Sequence, residues 1–114
     1  MAKSGEFADI VVFITTANAE EAQRIADVLL NKRKAACINI VPNVSSLFWW
    51  QGKLESAEES LLIVKTKASV LDEVVSLVKE HHGYDVPEVI ALPIIGGSQD
   101  YLEWMGKEVK QGKG

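Results

Sequence analysis

Three side chains of this chain have the chemistry to bind a soft or borderline metal ion: Cys37, His81 and His82. Thiolate and imidazole are ligands that copper and zinc prefer. His81 and His82 are neighbours, and neighbouring helical side chains diverge by about 100°, so regular helical geometry keeps both rings from reaching one ion. The spacing therefore indicates a metal site only if Cys37, or a residue of another subunit, completes it. The alternative is a helix end where the imidazoles interact with the dipole, with Cys37 as a small buried apolar residue.

A second group of polar residues could bind a small molecule. Lys65 and Lys67 alternate along a strand-like run and face the same side, where they could line a cleft for an anion or a carboxylate. Asp85 and Glu88 could act as a general acid–base pair, but no nucleophile accompanies them, and a solvated turn is the alternative. The sequence has no P-loop, dinucleotide-binding or nucleophile-elbow motif. It therefore does not predict an enzyme.

Consecutive aromatic residues precede a turn near the middle of the chain. Trp49 and Trp50 lie just before Gly52, and neighbours on a strand point to opposite faces, so one face cannot take both rings. An exposed indole favours aggregation unless a partner covers it, and tryptophan is enriched at subunit interfaces. We therefore predict that Trp49 and Trp50 are interface residues, divided between the core and a cleft or interface between subunits. The alternative is burial of both rings within one monomer.

The composition is that of an ordinary globular domain of 114 residues, with 47% hydrophobic and 25% charged residues. A formal charge of −4 and the lack of a basic stripe disfavour nucleic-acid binding. No apolar segment approaches the ~20 residues that span a bilayer, and the amino terminus has no signal-peptide pattern. Cys37 is the only cysteine, which suits a reducing compartment. We expect a cytoplasmic protein with no membrane partner and no organic cofactor.

Four strand-like segments must position these side chains. The segments are residues 8–15, 36–41, 60–66 and 86–94. The first is almost continuously apolar, which predicts a central strand buried on both faces. Residues 44–54 continue the second strand into a long, bent hairpin, and residues 55–59 interrupt its returning arm as a bulge or loop.

Three amphipathic helices are predicted between and after the strands. Asn18, with Glu21 three residues later, forms a capping box for the first helix, and Ser69 and Ser98 cap the other two. The first helix has an apolar face made of Ala22, Ile25, Ala26, Leu29 and Leu30. The second helix ends near Gly83.

The order of these elements is strand, helix, strand, strand, helix, strand and a final helix. The β-α-β-β-α-β order is typical of the ferredoxin-like α+β fold, an antiparallel sheet with two helices on one face. We therefore predict one domain over residues 1–114, with an extra C-terminal helix and with flexible ends at 1–7 and 111–114.

Several blocks of sequence together resemble the CutA divalent-cation-tolerance proteins. The resemblance runs from Ile10 to Trp104, and its blocks are AACINIVP at 35–42 continuing into SSLFWWQGKL at 45–54, LIVKT at 62–66, YDVPE at 84–88, LPI at 92–94 and YLEW at 101–104. The resemblance implies a ferredoxin-like fold assembled as a homotrimer, similar in architecture to the PII signalling proteins. It also implies a non-enzymatic, cytoplasmic role in tolerance of copper and other divalent cations.

The resemblance also implies a set of copper ligands. A cysteine in the AAC block and a His-His pair before the tyrosine are proposed ligands in the family, and Cys37, His81 and His82 match them. Thr15 stands where a further cysteine ends the first strand, and Gly83 stands where a proline or serine is common.

Three functions follow as hypotheses. The first is a trimeric protein that responds to divalent cations and binds copper, or a similar ion, with modest affinity. The second is a PII-like signalling module that binds a small anionic ligand in clefts between subunits, lined by Trp50, Lys65 and Tyr84. The third is a structural trimer that serves as a scaffold for a partner protein.

Overall fold

The structure is a computed structural model that describes residues 7–111. Residues 1–6 and 112–114, which make up most of the two ends predicted to be flexible, lie outside the described range. The elements in chain order are β1 (Asp9–Thr16), α1 (Ala19–Asn31), β2 (Cys37–Trp50), β3 (Lys53–Lys67), α2 (Leu71–His81), β4 (Val89–Pro93) and α3 (Gln99–Glu108).

The four strands form one antiparallel sheet in the order β2-β3-β1-β4. This order, with α1 and α2 as the crossovers and α3 added at the end, confirms the predicted ferredoxin-like α+β fold. None of the helices within residues 7–111 is long and apolar enough to cross a membrane.

The core lies between the sheet and helices α1 and α2. Alternate residues of β1 and β3 point into it, and the fully buried apolar side chains include Val12, Ile14, Ile25, Leu29, Leu62, Val64, Val74 and Val78. Four of the five residues predicted for the apolar face of α1 are buried. Leu30 is the exception, because it lies at the margin of the face and remains 37% exposed.

The opposite side of the sheet carries apolar side chains without an equivalent cover. Cross-strand neighbours place Val11, Phe13, Leu61, Ile63, Ile90 and Leu92 on this side, and we call these six residues the open sheet face. All six are half-buried or exposed. β1 is therefore central, but its burial on both faces was wrongly predicted: its residues alternate between buried and half-buried because helices cover one side.

The β2–β3 hairpin is longer and more regular than the sequence indicated. The charged run 55–59 is continuous strand within β3 and forms no bulge or loop. The irregularity lies on the other arm: Val41 pairs with Leu61 and Val44 with Glu59, so Pro42 and Asn43 form a β-bulge. Pro42 has no N–H to give to the ladder, and Asn43 has a φ of 61°, which Asn tolerates better than most residues.

The helix caps agree with the sequence at two of the three positions. Asn18 Oδ1 accepts a hydrogen bond from Glu21 N at 2.8 Å, and Ser98 Oγ accepts one from Tyr101 N at 3.5 Å. Ser69 does not cap α2, because a 3-10 turn at Ala68–Val70 precedes that helix and makes Val70 the N-cap residue.

The segment before the last strand is also different from the prediction. β4 covers only Val89–Pro93 rather than residues 86–94. Pro93 ends the strand, as its missing donor requires. Residues 83–88 therefore form a loop between α2 and β4, and this loop reaches the base of the hairpin.

Candidate functional site

A cleft of about 770 Å³ lies between the β2–β3 hairpin and the loop that follows α2. The hairpin contributes Phe48 and Trp50, which share a face because they are two residues apart on a strand. The loop contributes Tyr84 and Asp85. The floor includes Glu59, from the part of β3 beside the bulge.

The carboxylate of Glu21 holds the loop of the cleft in place and also accepts a hydrogen bond at the start of α1. Glu21 Oε1 accepts a hydrogen bond from Ala17 N at 2.9 Å, and Glu21 Oε2 accepts one from Gly83 N at 2.7 Å. Burial on its own would raise the pKa of Glu21, but these two donors, together with the nearby His82 and Arg24 side chains, outweigh it and leave the pKa below its ordinary value. Glu21 thus joins the start of α1 to the start of the cleft loop.

His82 joins the same loop to β1. Its side chain is fully buried, and its Nδ1 accepts a hydrogen bond from Tyr84 N at 3.0 Å. Its Nε2 lies 2.7 Å from Thr15 O and must donate, because a carbonyl can only accept. These partners define the tautomer with the proton on Nε2, and both ring nitrogens are used within the chain.

Tyr84 and Glu59 form the polar wall of the cleft. Tyr84 Oη donates a hydrogen bond to Glu59 Oε2 at 2.9 Å. Burial, this hydrogen bond and the negative charge of Glu59 raise the pKa of Tyr84 to about 12. Tyr84 therefore stays protonated at neutral pH, and its only proton is directed at Glu59.

The residues predicted to bind metal are not brought together within the chain. Cys37 pairs with Lys65, whereas His82 bonds Thr15, which pairs with Leu61. Lys65 and Leu61 are four positions apart on β3, which corresponds to about 13 Å at the rise of a strand. Among residues 7–111, no group of three or more His, Cys, Asp or Glu side chains is placed to hold a metal ion.

Each predicted ligand has a different local environment. Cys37 is half-buried, and burial together with a hydrogen bond to Cys37 raises the pKa of Tyr101. His81 Nδ1 lies 2.9 Å from Leu77 O, one helical turn back. Its Nε2 has no hydrogen-bond partner among the described residues. Of the two histidines, only His81 therefore keeps a ring nitrogen free.

The residues predicted for a ligand cleft are partly brought together. Trp50 and Tyr84 line the cleft. Lys65 does not, because it lies opposite Cys37 at the other end of the sheet and its Nζ donates to Asn39 Oδ1. Trp49 is 72% exposed and points away from the side that Trp50 occupies, so neither indole belongs to the core of its own chain.

Sequence reasoning missed the two glutamates that organise the cleft. Glu59 was assigned to the interruption at 55–59, although it extends the alternating positions of Leu61 and Ile63 by one step. That alternation places it on the same side of the sheet as those two residues. The second bond of Glu21, to Gly83, carries no local signal because 62 residues separate the partners.

By its fold, the chain is a ferredoxin-like α+β protein in which an extended β2–β3 hairpin walls a cleft. It is 48% identical over 102 residues to the chloroplastic protein CutA 1 of Oryza sativa, covering 90% of this chain. It is 44% identical over 99 residues to the divalent-cation tolerance protein CutA of Archaeoglobus fulgidus, covering 87% of this chain and 96% of that protein. The chain spans only 58% of the length of the rice relative.

A crystal structure of CutA1 from Oryza sativa superposes with a TM-score of 0.90 at 46% identity, covering 93% of this chain and 97% of the rice chain. The family model for the CutA1 divalent ion tolerance protein matches residues 10–108. The chain therefore belongs to the CutA1 divalent ion tolerance family, as its sequence blocks predicted.

Proposed function

We propose that this chain acts in the cytoplasm as a homotrimer of PII-like architecture that takes part in the response to divalent cations, by binding and not by catalysis. Membership of the divalent ion tolerance family supports the link to cations. The lone Cys37 supports a reducing compartment. The number of three subunits rests on the resemblance to CutA proteins.

The observation that carries the assembly is the open sheet face together with the hairpin tip. On the same side of the sheet, the hairpin continues this surface with Phe48 and Trp50, which are 38% and 48% exposed, whereas Leu47 and Leu54 are exposed on the other side. Contiguous apolar surface of this kind is typical of subunit interfaces. A second copy packed on the open sheet face would bury the β1 side chains that point to that side.

The copper ligands implied by the resemblance do not converge within the described chain. Cys37, His81 and His82 do not fit a single copper site within the described chain, since Cys37 lies far from the histidines and both nitrogens of His82 are in use. No step of the proposed function is therefore assigned to a bound copper ion. Cys37 and the free Nε2 of His81 remain as separate donors for soft or borderline cations.

Multi-angle light scattering on the purified chain tests the assembly directly. We expect one species with three chain masses across a hundredfold range of protein concentration. A monomer at all concentrations would contradict the proposal, and so would a dimer.

The cleft favours a second candidate function, a small-molecule-binding module of the PII type. The sequence suggested an anionic ligand because of Lys65, but that lysine is outside the cleft and carboxylates line it.

A further inference from the structure

We propose that the cleft binds a small organic cation, a primary amine or guanidinium carried on an apolar or aromatic body. The inference deepens the second candidate function and rests on it, because it names the chemical class of ligand for the cleft; it does not concern the number of subunits or the divalent cations.

The charge of the cleft excludes an anion as the natural occupant. Glu59, Asp85 and Glu88 line it, and no Lys or Arg is among the described residues that do so. A second carboxylate or a phosphate would meet only like charges here, which is destabilising in a partly enclosed space of low dielectric constant.

The polar wall of the cleft offers hydrogen-bond acceptors to a ligand. Glu59 is only 7% exposed, and one of its oxygens accepts the proton of Tyr84. Its other oxygen, Oε1, has no hydrogen-bond partner among the described residues, and because no unpartnered side-chain oxygen there is buried, it is open to the cleft and can accept a hydrogen bond from a ligand. The hydroxyl hydrogen of Tyr84 is already donated to Glu59. The Tyr84 oxygen can therefore act toward a ligand only as a hydrogen-bond acceptor.

The aromatic side of the cleft requires an apolar part in the same ligand. Phe48 and Trp50 from the hairpin and Val86 from the loop form this wall. Indole and phenyl faces attract cations and also pack against apolar groups. The volume of about 770 Å³ lies within the range of small-molecule sites and is far larger than a single ion needs.

A bare metal ion does not fit the same residues. Hard divalent cations need six or more oxygen ligands at 2.0–2.6 Å. The carboxylates of the cleft are spread over β3 and the loop, and no three of them are grouped for coordination among residues 7–111. An organic cation has its charged group at one end and an apolar body at the other. The charged group can therefore meet the carboxylates while the body packs against the aromatic rings.

Three probes with the same phenylethyl body and different polar groups test the charge requirement. Purified, ¹⁵N-labelled protein is titrated with 2-phenylethylamine, 2-phenylethanol or 3-phenylpropionate, and the indole N–H signal of Trp50 is followed by NMR. The signal is assigned with Trp50→Phe. We expect saturable shifts with the amine, at least tenfold weaker binding of the alcohol and no shift with the carboxylate. Equal or tighter binding of the alcohol or the carboxylate would overturn the proposal.

Substitution of Glu59 tests the acceptor. Glu59→Gln keeps the shape and removes the charge, so we expect the amine to bind at least tenfold more weakly. Glu58→Gln is the matched control, because Glu58 is exposed and points to the other side of the strand, and it should leave the affinity unchanged. Unchanged binding by a folded Glu59→Gln protein would overturn the proposal.

Two further outcomes are decided by the same samples. If Glu59→Gln does not fold, Asp85→Asn with Glu88→Gln, both at exposed positions, should weaken amine binding several-fold, and unchanged affinity would again overturn it. If the amine does not bind and Glu59→Gln lowers the mass in light scattering, a cationic side chain of a second copy occupies the cleft, which also overturns the proposal. NMR at Trp50 reports binding whatever the number of subunits, so failure here is distinct from failure of the trimer.

Discussion

At the scale of single residues, Glu21 shows how one side chain can serve two parts of the fold. Its backbone N–H is capped by Asn18, while its two carboxylate oxygens accept from Ala17 and Gly83. The bond from Glu21 N to Asn18 is local and was predicted as part of a capping box, whereas the carboxylate reaches back to Ala17 N, one residue before the N-cap. The bond to Gly83 was not predicted, since nothing in the sequence near Glu21 specifies a partner in the loop after α2.

We predict that Glu21→Gln destabilises the protein by about 1–3 kcal/mol, because an amide offers one oxygen where the structure needs two acceptors. The folded-state pKa of Glu21 is lowered, so the stability that it adds is present above its unfolded value near 4.5 and is lost as pH falls through the folded pKa. The free energy of unfolding, measured with urea at several pH values between 3 and 7, should therefore depend less on pH for the variant than for the wild type. Glu20→Gln, at an exposed neighbour in the same helical turn, is the control. If both variants changed the pH dependence of stability by the same amount, the role assigned to Glu21 would be contradicted.

Copper binding belongs to the same scale, because the structure separates the three predicted ligands. We predict that Cys37→Ser and His81→Asn each remove an independent part of the Cu²⁺ binding measured by titration calorimetry, and that their effects add. His82→Gln keeps a donor toward Thr15 O and should lower stability without changing the copper stoichiometry.

Zn²⁺ is the control cation in these titrations, since it is not reduced by a thiol. A single binding event that any one of the three substitutions abolishes would show that the residues converge on one ion through contacts between subunits. That result would contradict the separate placement of Cys37 and His81.

At the scale of elements, the sequence predicted the order of strands and helices well and the course of the hairpin poorly. Apolar alternation and caps such as Asn18 and Ser98 are local signals, so the β-α-β-β-α-β order followed from them. The charged run 55–59 resembled a loop because pairing with β2, which holds it extended, is not a local property. The prediction that Ser69 caps α2 was wrong for a similar reason. A 3-10 turn precedes α2, and that turn depends on the packing of the fully buried Val70, which is not a local property.

The bulge on β2 gives a prediction at this scale. Asn43 has a φ of 61°, where a β-branched side chain is strained, so Asn43→Val should destabilise the protein by about 1–3 kcal/mol. Asn43→Gly should stay within about 0.5 kcal/mol of the wild type. Chemical denaturation at one fixed protein concentration measures both. A valine variant as stable as the glycine variant would argue against the positive φ.

At the scale of the whole molecule, the distribution of apolar surface distinguishes the two sides of the sheet. Helices α1 and α2 bury one side, while the open sheet face and the hairpin tip remain accessible in a single chain. Composition alone could not have predicted this asymmetry, because both sides of β1 and β3 have apolar residues.

We predict that Trp49→Ala combined with Leu54→Ala shifts the protein from three chain masses toward one in light scattering. These side chains pair across the hairpin and are largely exposed in one chain, so an interface would lose about 1.5–3 kcal/mol for each. Glu58→Gln, on the same strand, should leave the mass unchanged. An intact trimer of the double variant, with an unchanged melting temperature, would remove the hairpin tip from the interface.

The cleft described above also has a consequence for the energetics of folding. Its walls come from segments around residues 15, 48–50, 59 and 84–88, so the site exists only when β1 has paired with β3 and the loop is bonded to Glu21. An occupant of the cleft therefore binds the native state and not the unfolded chain, and its binding free energy adds to global stability. At 100 times its dissociation constant, a ligand would contribute about 2.7 kcal/mol. A rise in melting temperature thus reports occupancy of the cleft even for a compound that never touches a tryptophan.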